Sequence, residues 1–144
     1  MRFSYIVLSA ASLTLAACST ARLPSEPVVY SQSEAADSVK VRVGQTLVVG
    51  GIRVRFDAVE SDSRCPSDVV CVWAGDAVAN LTVEQNCDCR SAAWQLKLHT
   101  FLEPKKGSAY GYRVELRSLL PYPSSTSPIK PDAYSAWLRI VRDE

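Results

Sequence analysis

Between Asp62 and Gly75 the chain reads DSRCPSDVVCVWAG, which places two cysteines, a proline, a tryptophan and three charged side chains within fourteen residues. Oxidation of Cys65 and Cys71 would close a small ring around Pro-Ser-Asp-Val-Val and fix the chain that carries Trp73. Two kinds of chemistry follow from such a corner. Asp62, Arg64, Trp73 and Asp76 form a candidate binding surface in which a guanidinium and an indole could stack against a partner. Alternatively, Trp73 packs against the disulfide beneath a sheet and the corner is a clamp. Asp62, Asp68 and Asp76 match no calcium-loop spacing, and each is explained as the cap of a turn.

A second cysteine cluster, Cys87-Asp88-Cys89, raises the number of thiols beyond position 20 to four. Four cysteines allow three pairings. Local bonds, Cys65 to Cys71 and Cys87 to Cys89, are favoured because the first ring is self-sufficient and a Cys-Asp-Cys turn can close at a hairpin end. Cross-pairing stays open if the corner packs beside the turn that follows Glu84. The four sulfurs could instead surround zinc or a soft ion such as Cu(I), although neither spacing is the usual Cys-x-x-Cys knuckle. No metal or other cofactor is expected on this reading. Catalysis has little support: His99, the single histidine, falls on the polar side of a strand, and no Gly-x-Ser-x-Gly elbow is present. A non-enzyme is the expectation.

The amino terminus bears on compartment. Arg2 precedes an apolar run from Tyr5 to Ala17 that ends Leu15-Ala16-Ala17-Cys18. This resembles a bacterial lipoprotein signal with its lipobox. The resemblance implies a signal peptide over 1–17, acylation of Cys18, and a membrane anchor through that lipid. Ser19 after the cysteine, rather than aspartate, favours the outer membrane of a Gram-negative envelope by the same resemblance. Residues 18–38, rich in small polar residues and holding Pro24 and Pro27, read as a lipidated, flexible tether, with Val28 to Tyr30 as a lesser candidate for an edge strand. Without Arg2, 15 basic residues balance 15 acidic ones. A neutral chain offers no clustered positive charge for nucleic acid.

From Val39 onward the apolar period is two, the mark of half-buried strands. Runs begin at Val39, Thr46, Ile52, Ala77, Trp94, Tyr112 and Tyr134, separated by Gly, Pro, Ser and Asp. About seven strands without a helical stripe predict an all-β fold, an antiparallel β-sandwich over 39–144 braced by disulfides. Four prolines in PYPSSTSPIKP, 121–131, cannot ladder in a sheet interior and predict a surface crossover before the last strand. Nothing argues for an oligomer, and a monomer is expected. Asn80-Leu81-Thr82 matches a glycosylation sequon but lies inside a strand and is set aside.

The corner, the Ala77-Val78 strand after it and the Leu-Arg-Ser-Leu-Leu-Pro-Tyr-Pro stretch at 116–123 carry a further resemblance. From about Val39 to Val141 the chain resembles small bacterial envelope lipoproteins with a DSRCP…C.WAG motif, most specifically at Arg64-Cys65-Pro66, Cys71, Trp73, Ala74 and Gly75. The resemblance implies a β-rich domain with Cys65 bridged to Cys71. It carries over no substrate or catalytic residue, and because Cys87 and Cys89 lie outside it, a separate second bridge is favoured. The expected function is that of a membrane-anchored envelope module with a structural or binding role toward an envelope protein or small ligand. Metal handling by the four cysteines and inhibition of an envelope enzyme, through a loop at 66–70 or 121–131, are the alternatives.

Overall fold

The computed structural model describes residues 28–30, 38–87 and 89–143. The proposed signal, Cys18 and the rest of the tether up to Ala36 and Asp37 lie outside the described residues, apart from Val28–Tyr30. Alternating apolar residues pair here as the period of two requires, because every second side chain of a strand points to one face. The strands are β1 (Val28–Tyr30), β2 (Val39–Arg42), β3 (Thr46–Val49), β4 (Ile52–Asp62), β5 (Ala77–Gln85), β6 (Trp94–His99), β7 (Lys106–Ala109), β8 (Tyr112–Leu120) and β9 (Ser135–Arg142). One sheet has the order β1-β3-β4-β5-β6 and the other β2-β9-β8-β7. Four strands of each sheet are antiparallel, and β1 is added in parallel at the edge beside β3. The sandwich expected from the sequence is therefore present, with nine strands among the described residues rather than seven.

The two inner faces meet in one core. Val41, Leu47, Ile52, Val54, Phe56, Leu81, Leu98, Val114, Leu119 and Leu138 are essentially inaccessible to water. Burial of this kind contributes roughly 25 cal/mol for each Å² of apolar surface removed from water. Among the described residues three register shifts interrupt the ladders; besides one between Val59 and Ser61 of β4, two reset the alternation. The register of β4 against β5 slips between Phe56 and Ala58, so Ala58 turns outward and Val59 turns toward the core. The β8–β9 register slips between Leu116 and Ser118, which brings Leu119 inside. A bulge places two residues opposite one and so swaps the faces that follow it. Trp94, expected on an inward face, is about half exposed at the start of β6.

The chain from β8 to β9 crosses the surface at 121–134, as the prolines require, and contains one short 3-10 turn at Pro131–Ala133. Because β4 and β5 are antiparallel, with Ile52 opposite Gln85 and Asp62 opposite Ala77, the Asp62–Asp76 corner and the Asn86–Cys89 turn occupy opposite ends of that ladder. The corner shares its end of the molecule with the loop after β6 and with the 121–134 crossover.

Candidate functional site

Past Asp62 the β4–β5 pairing continues irregularly instead of stopping. Ser63 N–H donates to the Asp76 carbonyl at 2.7 Å and Cys65 N–H donates to the Ala74 carbonyl at 2.8 Å. Gly75 makes this possible. Its φ is +68°, and a Cβ at that position would sit 1.9 Å from the Ser63 carbonyl oxygen. Only glycine allows two backbones this close. Beyond that crossing, Cys65 and Cys71 are disulfide-bonded with a Cα separation of 5.9 Å and close the loop.

Arg64 fastens the base of the loop to the opposite sheet. It is 6% exposed, and each of its three guanidinium nitrogens donates a hydrogen bond. Nε donates to Asp62 Oδ1 and Nη2 to Asp62 Oδ2, a fork of 2.8 and 2.6 Å. Nη1 donates to the Leu119 carbonyl at 2.6 Å, and Nη2 also donates to the Pro121 carbonyl at 2.8 Å. The Tyr122 ring lies 4.8 Å from the guanidinium carbon. Tyr134 Oη donates to Asp62 Oδ2 at 3.0 Å. Burial alone raises the Asp62 carboxyl pKa, but the hydrogen bonds and charge of Arg64 outweigh it, and the net shift is downward. The Tyr134 hydroxyl is pushed up by burial and then by its bond to Asp62.

The other side of the loop is tied to the proline crossover. Ser67 N–H donates to the Pro123 carbonyl at 3.0 Å, and Asp68 accepts the Ser125 N–H at 2.9 Å and the Ser125 hydroxyl at 2.6 Å. Those bonds hold the Asp68 carboxyl below its ordinary pKa.

Asp76 caps the neighbouring loop. It accepts the Phe101 N–H at 2.8 Å, the Leu102 N–H at 3.3 Å and the Thr100 hydroxyl at 3.1 Å, and His99 Nδ1 lies 2.6 Å from its other oxygen. Burial raises the pKa of Asp76, yet His99 and the three donors of 100–102 more than offset it and bring it to about 2. His99, expected as a solvated surface residue, is thus half-buried and paired with Asp76.

These bonds set a pH dependence. Asp76 has a depressed folded pKa, so its contribution is complete above the unfolded value near 4 and disappears as pH falls through about 2. The wild type should lose at most about 2 kcal/mol through this group across that window, as its shift implies. Urea unfolding of Asp76→Asn at pH 7 and at pH 2.5 checks it: the gap between variant and wild type should narrow on acidification, and an unchanged gap contradicts the assignment.

Of the four residues expected to make a binding surface, Asp62, Arg64 and Asp76 turn toward partners within the chain and Trp73 does not. The Asp62, Arg64 and Asp76 side chains are 9%, 5% and 13% exposed and face structural partners. Charge buried this way must be paired: Asp62 and Arg64 pair with each other and Arg64 with backbone carbonyls, while Asp76 accepts from His99, Thr100 and two backbone N–H groups. Trp73 is the exception and also departs from the clamp reading, because it is 83% exposed and not packed beneath the sheet. Val70 and Val72 beside it are fully exposed. Sequence reasoning included Val70 only within a candidate loop at 66–70 and did not single out Val72.

Cys87 and Cys89 form the second disulfide, Cα separation 5.1 Å. The four-sulfur metal centre considered as an alternative is ruled out by topology: its two halves stand about 30 Å apart, at the ladder spacing of some 3.3 Å for each residue. Cross-pairing is excluded for the same reason. Among the described residues no group of three or more His, Cys, Asp and Glu is placed to hold a metal.

A cleft of about 270 Å³ opens between the loop base and the β8 bulge, with Arg64 and Gly75 in its floor and Phe101, Leu116 and Tyr122 in its walls. The arrangement as a whole defines a disulfide-braced two-sheet sandwich that holds an outward-facing apolar loop at one end. Compared with family models, with curated proteins and with solved structures, the chain matches none.

Proposed function

We propose that this chain is a lipid-anchored protein of the bacterial envelope whose sandwich acts as a non-catalytic contact module. The compartment rests on the leader and Leu15-Ala16-Ala17-Cys18, and on cysteines that stand in bonded pairs, a state that persists in oxidising compartments. Anchorage is assigned to lipid on Cys18 by the likeness of Leu15-Ala16-Ala17-Cys18 to a lipobox.

The observation that carries the contact role is the exposure of Val70, inside the Cys65–Cys71 ring, and of Val72 and Trp73, between that disulfide and the Cys65-to-Ala74 hydrogen bond. The charged groups of the corner are used to hold the loop, and apolar surface is what remains for a partner. A contiguous exposed apolar patch on a rigid support is the ordinary form of an interaction site.

Labelling cells with palmitate and separating their membranes tests the anchor. Wild type should carry label and sediment with outer membrane, whereas Cys18→Ser should lose the label and accumulate unprocessed. Unlabelled wild-type protein in the cytosol with free thiols would overturn the proposal.

A further inference from the structure

We infer that the apolar end of the sandwich, led by Val70, Val72 and Trp73, seats in the lipid bilayer that holds the anchor. This rests on acylation at Cys18 and goes beyond it, because a lipid anchor alone leaves the orientation of the domain open.

Two independent observations converge. The first is the distribution of exposed apolar side chains. Val70, Val72, Trp73, Phe101, Leu102 and Tyr122 are all more than half exposed, and all belong to loops at the corner end of the molecule. Val69, on the same loop, is 44% exposed, and Trp94 on β6 is the one other large apolar side chain of this kind among the described residues.

The second is the direction in which the amino-terminal chain meets the fold. Strand β1 runs parallel to β3, with Val28 opposite Leu47, and Leu47 lies opposite Val54 of β4. β4 is antiparallel to β3, so the side of β1 from which the chain arrives is the side toward which β4 runs to Asp62 and the corner. Val28, the described residue nearest in sequence to Cys18, is therefore entered from the side of the ladder that faces the apolar loops.

Lengths agree with this orientation. From the level of Val54 to that of Cys65 is eleven residues of strand and near-strand, about 35 Å. From Cys18 to Val28 is ten residues, whose greatest reach is also about 35 Å. Pairing of β1 with β3 leaves ten residues between Cys18 and Val28, enough when extended to span from Val28 to the level of the loop. Trp73 at the tip suits the position, since indole is favoured at the boundary between hydrocarbon and water. Two valines beside it add apolar contact: Val70 lies inside the Cys65–Cys71 ring, and Val72 and Trp73 follow it, ahead of the Cys65-to-Ala74 hydrogen bond.

The test uses the full acylated chain in vesicles of phosphatidylethanolamine and phosphatidylglycerol whose acyl chains are brominated near the headgroup. Tryptophan emission should be quenched relative to unbrominated vesicles, and Trp73→Phe should lower that quenching by about twofold or more, because the interfacial indole is the one removed. Trp94→Phe should not lower it. Mass spectrometry of the same sample reports the acyl group on Cys18 separately. Acylated protein whose Trp73 is not quenched overturns the orientation and leaves the anchor standing; so does chemical crosslinking in cells that joins the 69–73 loop to a protein. Absence of the acyl group removes the proposed function and this inference together.

Discussion

Replacing Gly75 by alanine should destabilise the domain by more than about 3 kcal/mol, a large part of the roughly 5–15 kcal/mol that holds a domain of this size together. The added methyl would overlap the Ser63 carbonyl oxygen at 1.9 Å and crowd the Arg64 Cα at 2.9 Å, so two stretches of backbone must separate. Their separation breaks the Ser63-to-Asp76 and Cys65-to-Ala74 hydrogen bonds, and it draws Arg64 away from its carbonyl partners. Gly44→Ala and Gly111→Ala are the controls. Both glycines have positive φ, +81° and +74°, but nothing lies within 4 Å of the added carbon, so only the conformational cost of about 1 kcal/mol applies. Urea midpoints for the three variants decide the matter: a loss at 75 no greater than at 44 would show that the close crossing is absent.

Arg64→Met should cost about 3–5 kcal/mol, the range for removing one partner of a buried ion pair. Its magnitude comes from what is left behind. Asp62 keeps a carboxylate with 9% side-chain exposure and no counter-charge, and the carbonyls of Leu119 and Pro121 lose their donor. The double variant Asp62→Asn with Arg64→Met should be distinctly less damaging than the two single losses added together, because no uncompensated charge remains. The penalty of Arg64→Met should also shrink as pH falls and Asp62 takes a proton. Strict additivity across the pair, measured by denaturant unfolding at pH 7, would mean that the two groups do not interact.

The sandwich was legible from the sequence because its strands each bury one face, and Ile52, Val54 and Phe56 or Ala77, Ala79, Leu81 and Val83 announce that face directly. What was missed has physical reasons. Lys106–Ala109 pairs with β8 through backbone hydrogen bonds while its side chains, Lys-Gly-Ser-Ala, have almost no apolar alternation to display. Ala58 and Leu119 stand on faces opposite to a strict period of two because bulges precede them, and an inserted residue leaves no mark in composition.

The corner was recognised as the place where unusual residues gather, and the capping roles read for Asp68 and Asp76 are present, but Arg64 and Trp73 exchange places. Arginine reads as surface and tryptophan as core when each is judged by type alone. Arg64 is buried because its carbonyl partners arrive from 55 and 57 residues further along the chain, a closeness set by tertiary packing. With the polar groups drawn inward to fasten the loop, Val70, Val72 and Trp73 are left facing outward. The pairing of His99 with Asp76 was hidden in the same way, since it follows from the β5–β6 register that sets Val78 opposite His99.

The central claim is that Trp73 is both exposed and rigidly held. It is tested most directly by fluorine NMR of 5-fluorotryptophan incorporated into a chain that begins at Ser19 and so keeps every described residue. The three tryptophans give three resonances. That of Trp73 should show the largest shift on exchanging water for deuterium oxide, while keeping the linewidth of the folded globule. A small solvent shift would mean that the indole is packed against the disulfide after all, and a large shift with a narrow, random-coil line would mean that the loop is not held by Arg64 and its partners.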